Sequence, residues 1–300
     1  MAVAFDISKT LGAVQFGLGR DVEGTQTFAT VPIQIEVGDA LVEMLRSTLI
    51  QIANDGMPAL YEPSEKYGAR EYVYLPLDDT MASMMRDLHQ AEALPSDTST
   101  LKESSNVFSY FARTKNSSGQ KITGLRRSTQ FKILAHARLL AWSFDSLEVV
   151  DRPTFKLDDM FDVIVDAERV HILNPTAFAF ASRLQSVVLA AAAGNANAVA
   201  LEVPGIEFDS IAKYASTRPK AARYLASIRS QGHATGIDTP LLQALCSGSG
   251  VALTKVDGKL QVAEKDILTF LEILDRRRFE LSLVKGQTEH YRAPSRKRLI

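Results

Sequence analysis

The sequence contains a single cysteine, Cys246, among 300 residues. One cysteine excludes a disulfide within the chain and a cysteine-rich zinc site. Its scarcity fits a reducing cytoplasm. Cys246 lies in the apolar segment LLQALCSG. We therefore expect its thiol to be buried as a small hydrophobic group, since no base that would make it a nucleophile is identified.

Several signatures of enzyme chemistry are missing as well. No glycine-rich run leads into Gly-Lys-Ser/Thr, and neither a Gly-x-Ser-x-Gly elbow nor a His-Glu-x-x-His helix occurs. The five histidines are scattered, with no two of them three or four residues apart. A metal site would need ligands brought together by the fold alone. We therefore expect no metal and no other cofactor.

Long hydrophobic runs are also absent. The first residues lack the basic and apolar regions of a signal peptide. The most apolar segment, SVVLAAAAGNANAVALEV, is interrupted by Gly194, Asn195 and Asn197. It falls short of the ~20 continuous apolar residues that span a bilayer. The sequence thus predicts a soluble, cytoplasmic protein.

The pattern of apolar residues predicts an α+β fold. In the N-terminal half, AVQFGLGR and TFATVPI flank a glycine-containing turn, which is typical of a β-hairpin. Helical periodicity dominates after Pro175, which follows the capping residue Asn174. We expect a mixed or antiparallel sheet with hairpins, then a mainly helical half that ends in a basic hairpin. The boundary would divide a β-rich region, 1–174, from a helical region, 175–300, unless the two form one continuous domain.

The formal net charge of −1 conceals a strong asymmetry. Thirteen acidic and five basic residues lie between Glu36 and Glu103, and eight acidic and two basic residues lie between Asp145 and Glu168. Basic residues concentrate in three segments: RTKNSSGQKITGLRRSTQFK, KYASTRPKAARYLASIRS and the C-terminal segment from Arg276 onwards. Charge separated in this way suggests one surface for an anion and another for a different partner. The alternative is ordinary solvated surface on which charges cluster by chance.

Four aspartates lie close together in LDDMFDVIVD, at Asp158, Asp159, Asp162 and Asp166. Carboxylates at the end of a strand can bind Mg²⁺ in nucleases, which gives one interpretation. A two-metal nuclease also uses a nearby lysine in the strand. The residues that follow Asp166 are Ala-Glu-Arg, so this lysine is missing. We therefore favour the alternative that Asp162 and Asp166 face solvent from a strand whose apolar residues face the core.

The first basic segment resembles a phosphate-binding surface. Arg126, Arg127 and Lys132 lie among hydroxyl and amide side chains, a mixture that phosphate oxygens accept. Gly119 and Gly124 would let a backbone approach closely. The cations that we predict to contact DNA in the other two segments are Lys220, Arg223, Arg292, Arg296, Lys297 and Arg298.

The C-terminal segment also contains aromatic residues. From Arg276 to Ile300 there are eight basic and two acidic residues, a local charge of +6. His290 and Tyr291 alternate with these cations, and aromatic rings can stack on nucleic-acid bases. We expect a folded hairpin here that holds cations against a polyanion.

Three segments together resemble a known family: ITGLRRSTQFKILAHARLLAW, FKLDDMFDVIVDAERVHILN and ILDRRRFELSLVKGQTEHYRAPSRKRL. They are similar to the KwaB-like family, a domain of unknown function. KwaB is the soluble component of the Kiwa anti-phage defence system. The resemblance covers about residues 105–300 and consists of apolar, arginine and aspartate positions, without a catalytic signature.

The resemblance implies DNA binding, a small membrane-embedded partner of the KwaA type and no established catalytic centre. The cations that match the family pattern are Arg126, Arg127, Lys132, Arg292, Arg296, Lys297 and Arg298. The function that we expect is a non-enzymatic, sequence-independent DNA-binding effector, recruited by its partner to the inner face of the membrane.

The acidic segment would then serve the partner. Cytoplasmic loops of membrane proteins are rich in lysine and arginine, so Asp158, Asp159 and Asp162 could dock there. A homo-oligomer, most simply a dimer, is expected. Two alternatives stay open: a Mg²⁺-dependent nuclease that uses the acids at 158–166, and a scaffold whose cationic ends pair with its own acidic regions in an oligomer.

Overall fold

A computed structural model describes residues 3–67, 71–96, 106–128, 139–143, 146–150, 156–284 and 287–293, with the backbone alone for 139–143, 146–150, 281–284 and 287–290. The chain divides into two compact units. Met1–Tyr61 and Gly68–Ser182 form the first unit, and Glu62–Tyr67 and Arg183–Ile300 form the second. The sequence had suggested a division at residue 174, eight residues before the end of the first unit.

The first unit is built on an eight-stranded sheet. Its strands run in the order β2-β1-β5-β6-β9-β10-β4-β3, and all neighbours are antiparallel except β3 and β4. The strands of this unit within the described residues are β1 (Gln15–Val22), β2 (Thr25–Val31), β3 (Ala59–Leu60), β4 (Val73–Pro76), β5 (Val107–Lys115), β6 (Lys121–Arg127), β7 (Leu139–Ser143), β8 (Ser146–Val150), β9 (Val163–Val165) and β10 (Arg169–Ile172). β7 and β8 pair as a separate hairpin.

Helices cover both faces of this sheet. The helices of the first unit within the described residues are α1 (Ile35–Asn54), α2 (Ser83–Gln90) and α3 (Pro175–Ala181). α1 packs its apolar side, with Leu41 and Leu45, in a core with Tyr110 and Ile164 of the sheet. α2 and α3 contact β6, where Nδ1 of His89 lies 2.9 Å from the hydroxyl oxygen of Thr123. Successive side chains of a strand point to opposite faces of the sheet. Because helices cover both faces, the side chains of the central strands are buried on both sides.

Side chains cap two helix starts in this unit. The carboxylate of Asp79 accepts a hydrogen bond from the N–H of Met81 at 2.7 Å, at a short 3-10 turn that leads into α2. Asn174 accepts from the N–H of Ala177 at 3.1 Å, with proline at the first position of α3. Such bonds satisfy N–H groups that have no partner inside the helix. The helix predicted from Pro175 is nevertheless interrupted at Arg183, whose φ of +45° is left-handed.

The second unit is mainly helical. Its described elements are α4 (Leu184–Glu202), α5 (Asp209–Ala215), α6 (Pro219–Ser230), α7 (Thr239–Gly248), β11 (Leu253–Val256), β12 (Lys259–Val262), α8 (Ile267–Leu274), β13 (Arg278–Val284) and β14 (Gln287–Arg292). α4 packs against α5 and α6, and each pair of strands forms an antiparallel hairpin. The α+β class, with sheet and hairpins first and helices with a final basic hairpin second, is as predicted.

Among the described residues, α4 is the one helix long and apolar enough to cross a membrane by length and composition. A single helix of this kind is weak evidence of a membrane span, because the core helix of a soluble protein has the same length and composition. Asn195 in the middle of α4 is buried and accepts a hydrogen bond from Arg229 of α6 at 2.9 Å. α4 therefore behaves as a packing element of its own unit, without a clear sign of membrane insertion.

Candidate nucleic-acid interface

Arg126, the first cation that we predicted to contact DNA, is already paired within the chain. It lies in β6, directly opposite Tyr110 of β5. Its Nε is 3.1 Å from Oδ2 of Asp158, and its Nη1 is 2.8 Å from Oδ1 of Asp162. The structure thus joins the predicted DNA-binding cation to two of the predicted partner-binding acids. The expectation that opposite charges occupy separate surfaces is wrong at this position.

The expectation that Asp162 and Asp166 face solvent is also wrong, because only 2% and 1% of their surfaces are exposed. β9 lies in the middle of a sheet that helices cover on both faces, so neither face of this strand reaches water. Asp162 is compensated by Arg126, by the N–H of Arg127 at 2.8 Å and by the side-chain amide of Asn174 at 3.0 Å. A buried charge requires such partners.

Asp166 belongs to a second buried cluster in the first unit. Its Oδ2 lies 3.0 Å from Nε2 of His171, whose Nδ1 is 2.7 Å from the hydroxyl of Tyr72. The N–H groups of Glu168 and Arg169 donate to its other oxygen. Burial alone would raise the pKa of Asp166, but the hydrogen bonds from His171 and Glu168 lower it to about 2. Burial and the charge of Asp166 raise the pKa of Tyr72 to about 12.

This geometry does not favour Mg²⁺ at the acidic segment. Asp162 and Asp166 use their oxygens in the two clusters just described, and the clusters lie beyond opposite ends of β9. Within the part of the chain that the structure describes, no group of three His, Cys, Asp or Glu side chains could hold a metal ion. Among the described residues, the acids at 158–166 therefore do not form the ligand arrangement that the nuclease interpretation needs.

The remaining acids differ in their access to a partner. Asp158 is paired with Arg126 and with Lys156 at 3.1 Å, and it also contacts the hydroxyl of Tyr110. Burial would raise the pKa of Asp158, but Lys156 and Arg126 lower it. Asp159 is exposed. Of the three acids predicted to dock on a partner, Asp159 is therefore the most accessible.

The other residues of the first basic segment that we predicted to contact phosphate differ in their surroundings. Arg127 is exposed, and its guanidinium carbon lies 4.1 Å from the centre of the Phe180 ring. Lys132 lies outside the described residues. Gly119 has a φ of +78° and forms a turn. Gly124 does not approach a phosphate, because a Cβ there would lie 2.6 Å from the ring of Phe161, which occupies that space.

The second and third basic segments converge in the second unit. Lys220 at the start of α6, Arg278 of β13 and Arg292 of β14 all reach the carboxylate of Glu272 in α8, at 3.5, 3.0 and 2.5 Å. Glu272 is 2% exposed, whereas the side chains of Lys220 and Arg292 are 53% and 52% exposed. Burial would raise the pKa of Glu272, but the bonds from Arg278 and Arg292 lower it. Three cations around one carboxylate leave a local charge of +2. We call Lys220, Arg278, Arg292 and Glu272 the Glu272 cluster.

An aromatic pair adjoins the Glu272 cluster. Phe279 and Tyr291 lie opposite each other on β13 and β14, one residue from the paired Arg278 and Arg292. Their rings stack at 5.6 Å with an angle of 16° between the planes. Both remain more than 40% exposed, and with the two arginines they line a cavity of about 220 Å³. Exposed aromatic rings beside cations are typical of surfaces that bind nucleic-acid strands.

Several other cations of these segments are buried or half-buried in the second unit, or lie outside the described residues. Arg277 is buried and bonds to Asp275 and to Glu65, each at 2.6 Å, so it belongs to the core of the second unit. Arg223 is half-buried in α6, and its buried Nε has no hydrogen-bond partner among the described residues. Arg296, Lys297 and Arg298 lie outside the described residues.

Arg278, Phe279 and Glu272, which belong to this candidate interface, were not predicted from the sequence. The aromatic pair follows from the register of the hairpin, because strands that place Arg278 opposite Arg292 also place Phe279 opposite Tyr291. Glu272 could not be found in this way, since its role depends on how α8 packs against the hairpin. Comparison of the chain with protein-family models, with curated proteins and with solved structures finds no match.

Proposed function

We propose that this chain is a non-enzymatic, sequence-independent DNA-binding effector of an anti-phage defence system, and that the Glu272 cluster is its DNA contact. The observation in favour is the convergence of Lys220, Arg278 and Arg292, which are distant in sequence, on one buried carboxylate. The surplus positive charge is exposed on the side chains of Lys220 and Arg292. Such a surface binds phosphates without regard to sequence.

The Glu272 cluster would position its cations before DNA arrives. Long arginine and lysine side chains lose rotamer freedom on binding, and a carboxylate that already holds them reduces this cost. Phe279 and Tyr291 would add contact with sugar or with an unpaired base next to the phosphates. The defence role and the membrane-embedded partner of the KwaA type come from the family resemblance, and Asp159 is the accessible acid that we assign to that partner.

The test is fluorescence anisotropy with a short labelled duplex at several salt concentrations. Each phosphate contact contributes about −0.9 to the slope of log affinity against log salt, so three contacts give about −2.7. Arg292→Ala and Lys220→Ala should each weaken binding and make the slope shallower by about one contact. Lys255→Ala is the matched control, because Lys255 is an exposed cation on another hairpin of the same unit. An equal loss of DNA affinity in Lys255→Ala would contradict the assignment of the Glu272 cluster as the DNA contact.

Two further measurements address the nuclease alternative and the partner surface. Supercoiled plasmid incubated with the protein and Mg²⁺ should stay intact, and nicking that EDTA abolishes would instead favour the nuclease. Co-purification with a membrane partner of the KwaA type should fall in Asp159→Lys. An unchanged yield of complex would remove Asp159 from the partner surface.

A further inference from the structure

A second cationic site lies in the first unit, where the β5–β6 hairpin meets the end of α2. Its main residue is Arg113 of β5, which is only 4% exposed. The Nη2 of Arg113 donates to the carbonyl of Ala91. Its Nε and Nη1 are buried and have no hydrogen-bond partner within the described residues. Unsatisfied buried guanidinium nitrogens are costly and need an explanation.

Two lysines lie next to this arginine. Lys115 and Lys121 face each other across β5 and β6, and alternation along β5 places Lys115 on the same side of the sheet as Arg113. Nζ of Lys121 donates to the carbonyls of His89 and Ala91, at 2.7 and 3.3 Å. These carbonyls at the end of α2 hold the cations but contribute no full negative charge.

The three cations line one cavity of about 330 Å³, together with Gly12, Ala13, Gln15, Thr114 and Glu92. Glu92 is the one acidic residue among these lining residues, so the lining has a formal charge of +2. Burial and the neighbouring charges of Arg113 and Lys115 lower the pKa of Lys121, and burial lowers that of Arg113. Crowded cations of this kind repel one another until an anion is bound.

We propose that this cavity, which we call the Arg113 pocket, binds the phosphate group of a small molecule. A phosphate monoester has a charge of about −1.5 to −2 at pH 7 and three acceptor oxygens, which match the surplus of two positive charges. A cavity of this volume is at the lower end of the range for ligand sites, so it fits a sugar phosphate or a mononucleotide. The pocket lies in a different unit from the Glu272 cluster, and its ligand is a small molecule.

The test is isothermal titration calorimetry of the full chain with inorganic phosphate, ribose 5-phosphate, AMP and adenosine. Phosphate and both monoesters should bind, whereas adenosine should not. Tighter binding of AMP than of ribose 5-phosphate would identify the ligand as a nucleotide, and equal binding would identify the phosphate as the sole recognised group.

Two variants make the test specific. Lys115→Glu changes an exposed residue, so the protein should stay folded while affinity for phosphate falls at least tenfold. Arg113→Gln should lower affinity to a similar extent, and its folding is checked by circular dichroism. Lys9→Ala, which removes an exposed cation of the same unit outside this pocket, is the control and should bind as the wild type does.

Absence of phosphate binding by the wild type, or undiminished binding by Lys115→Glu, would overturn the proposal. Duplex DNA separates this site from the proposed function. Lys115→Glu should retain the DNA affinity that Arg292→Ala loses, and Arg292→Ala should retain phosphate binding. Loss of both activities in both variants would contradict the assignment of two separate sites.

Discussion

Nη1 of Arg126 lies 2.8 Å from Oδ1 of Asp162, and this carboxylate is almost completely buried. Each residue compensates the charge of the other, with Asp158 as a second acceptor for the arginine. Burial would lower the pKa of Arg126, but Asp162 and Asp158 raise it. A cation held in this way stabilises the centre of the sheet and has little capacity left for an incoming phosphate.

Arg126→Ala should therefore destabilise the protein strongly. It leaves Asp162 buried without its ionic partner, and breaking a buried pair on one side costs about 3–5 kcal/mol. Arg127→Ala should cost less than about 1 kcal/mol, because the exposed Arg127 loses only its contact with the Phe180 ring. Urea unfolding followed by circular dichroism measures both. Equal destabilisation by the two changes would contradict this account.

Acid stability should depend on Asp166. Its pKa is about 2 in the folded protein, below the ordinary value near 3.8, so its contribution is present above about pH 4 and is lost as the pH falls towards 2. The shift corresponds to about 2 kcal/mol. Asp166→Asn should unfold at a lower urea concentration than the wild type at pH 7. Between about pH 4 and 2, its free energy of unfolding should fall less than that of the wild type. The exposed Asp159→Asn, measured in parallel, should follow the wild-type profile.

Local signals in the sequence predicted much of the fold. Asn174-Pro175 begins α3, and β1 and β2 form the hairpin that was predicted around a glycine-containing turn. The position of β9 was not predictable in the same way. Asp162 and Asp166 flank β9 at positions that share one face of an extended strand, which suggested that this face is exposed. Only the pairing of β9 with β6 and β10 inside the sheet, together with the helices on both faces of that sheet, shows that the strand is buried.

The candidate site shows the same division. Local charge identified Lys220 and Arg292 as candidates for an anion-binding surface. It could not show that both reach Glu272, nor that Arg126 reaches Asp162, because these partners are 52, 20 and 36 residues apart in sequence. The candidate interface depends on contacts between residues that are distant in sequence, and composition and spacing do not reveal such contacts.

Gly124 should be sensitive to the smallest substitution. A Cβ at this position would lie 2.6 Å from the ring of Phe161, which is itself buried in the core. Gly124→Ala should destabilise the protein by about 1–3 kcal/mol, the usual cost of overpacking. In the background of Phe161→Leu, the same change should cost less, since the ring no longer occupies the space. Thermal unfolding of the four proteins gives this coupling, and strictly additive costs would contradict it.

The thiol of Cys246 should be unreactive in the native protein. It is fully buried in α7, and burial raises its pKa to about 12, so the reactive thiolate is scarce at neutral pH. Ellman's reagent should react slowly in buffer and rapidly in concentrated urea. Since the chain has one cysteine, the signal has a single source. Fast reaction in buffer, with native circular dichroism, would show that α7 opens readily.

Removing the charge of Glu272 should separate stability from DNA binding. Glu272→Gln leaves Lys220, Arg278 and Arg292 around a neutral group, so the second unit should lose about 3 kcal/mol of stability. The local charge rises from +2 to +3, and affinity for duplex DNA at low salt should rise severalfold if the protein stays folded. Anisotropy and urea unfolding on the same preparation test this. Tighter DNA binding by a less stable protein would mean that the negative charge of Glu272 limits affinity. Weaker binding by the folded variant would contradict this expectation, because it would mean that the carboxylate contributes more by holding the arginines in place than it costs by its charge.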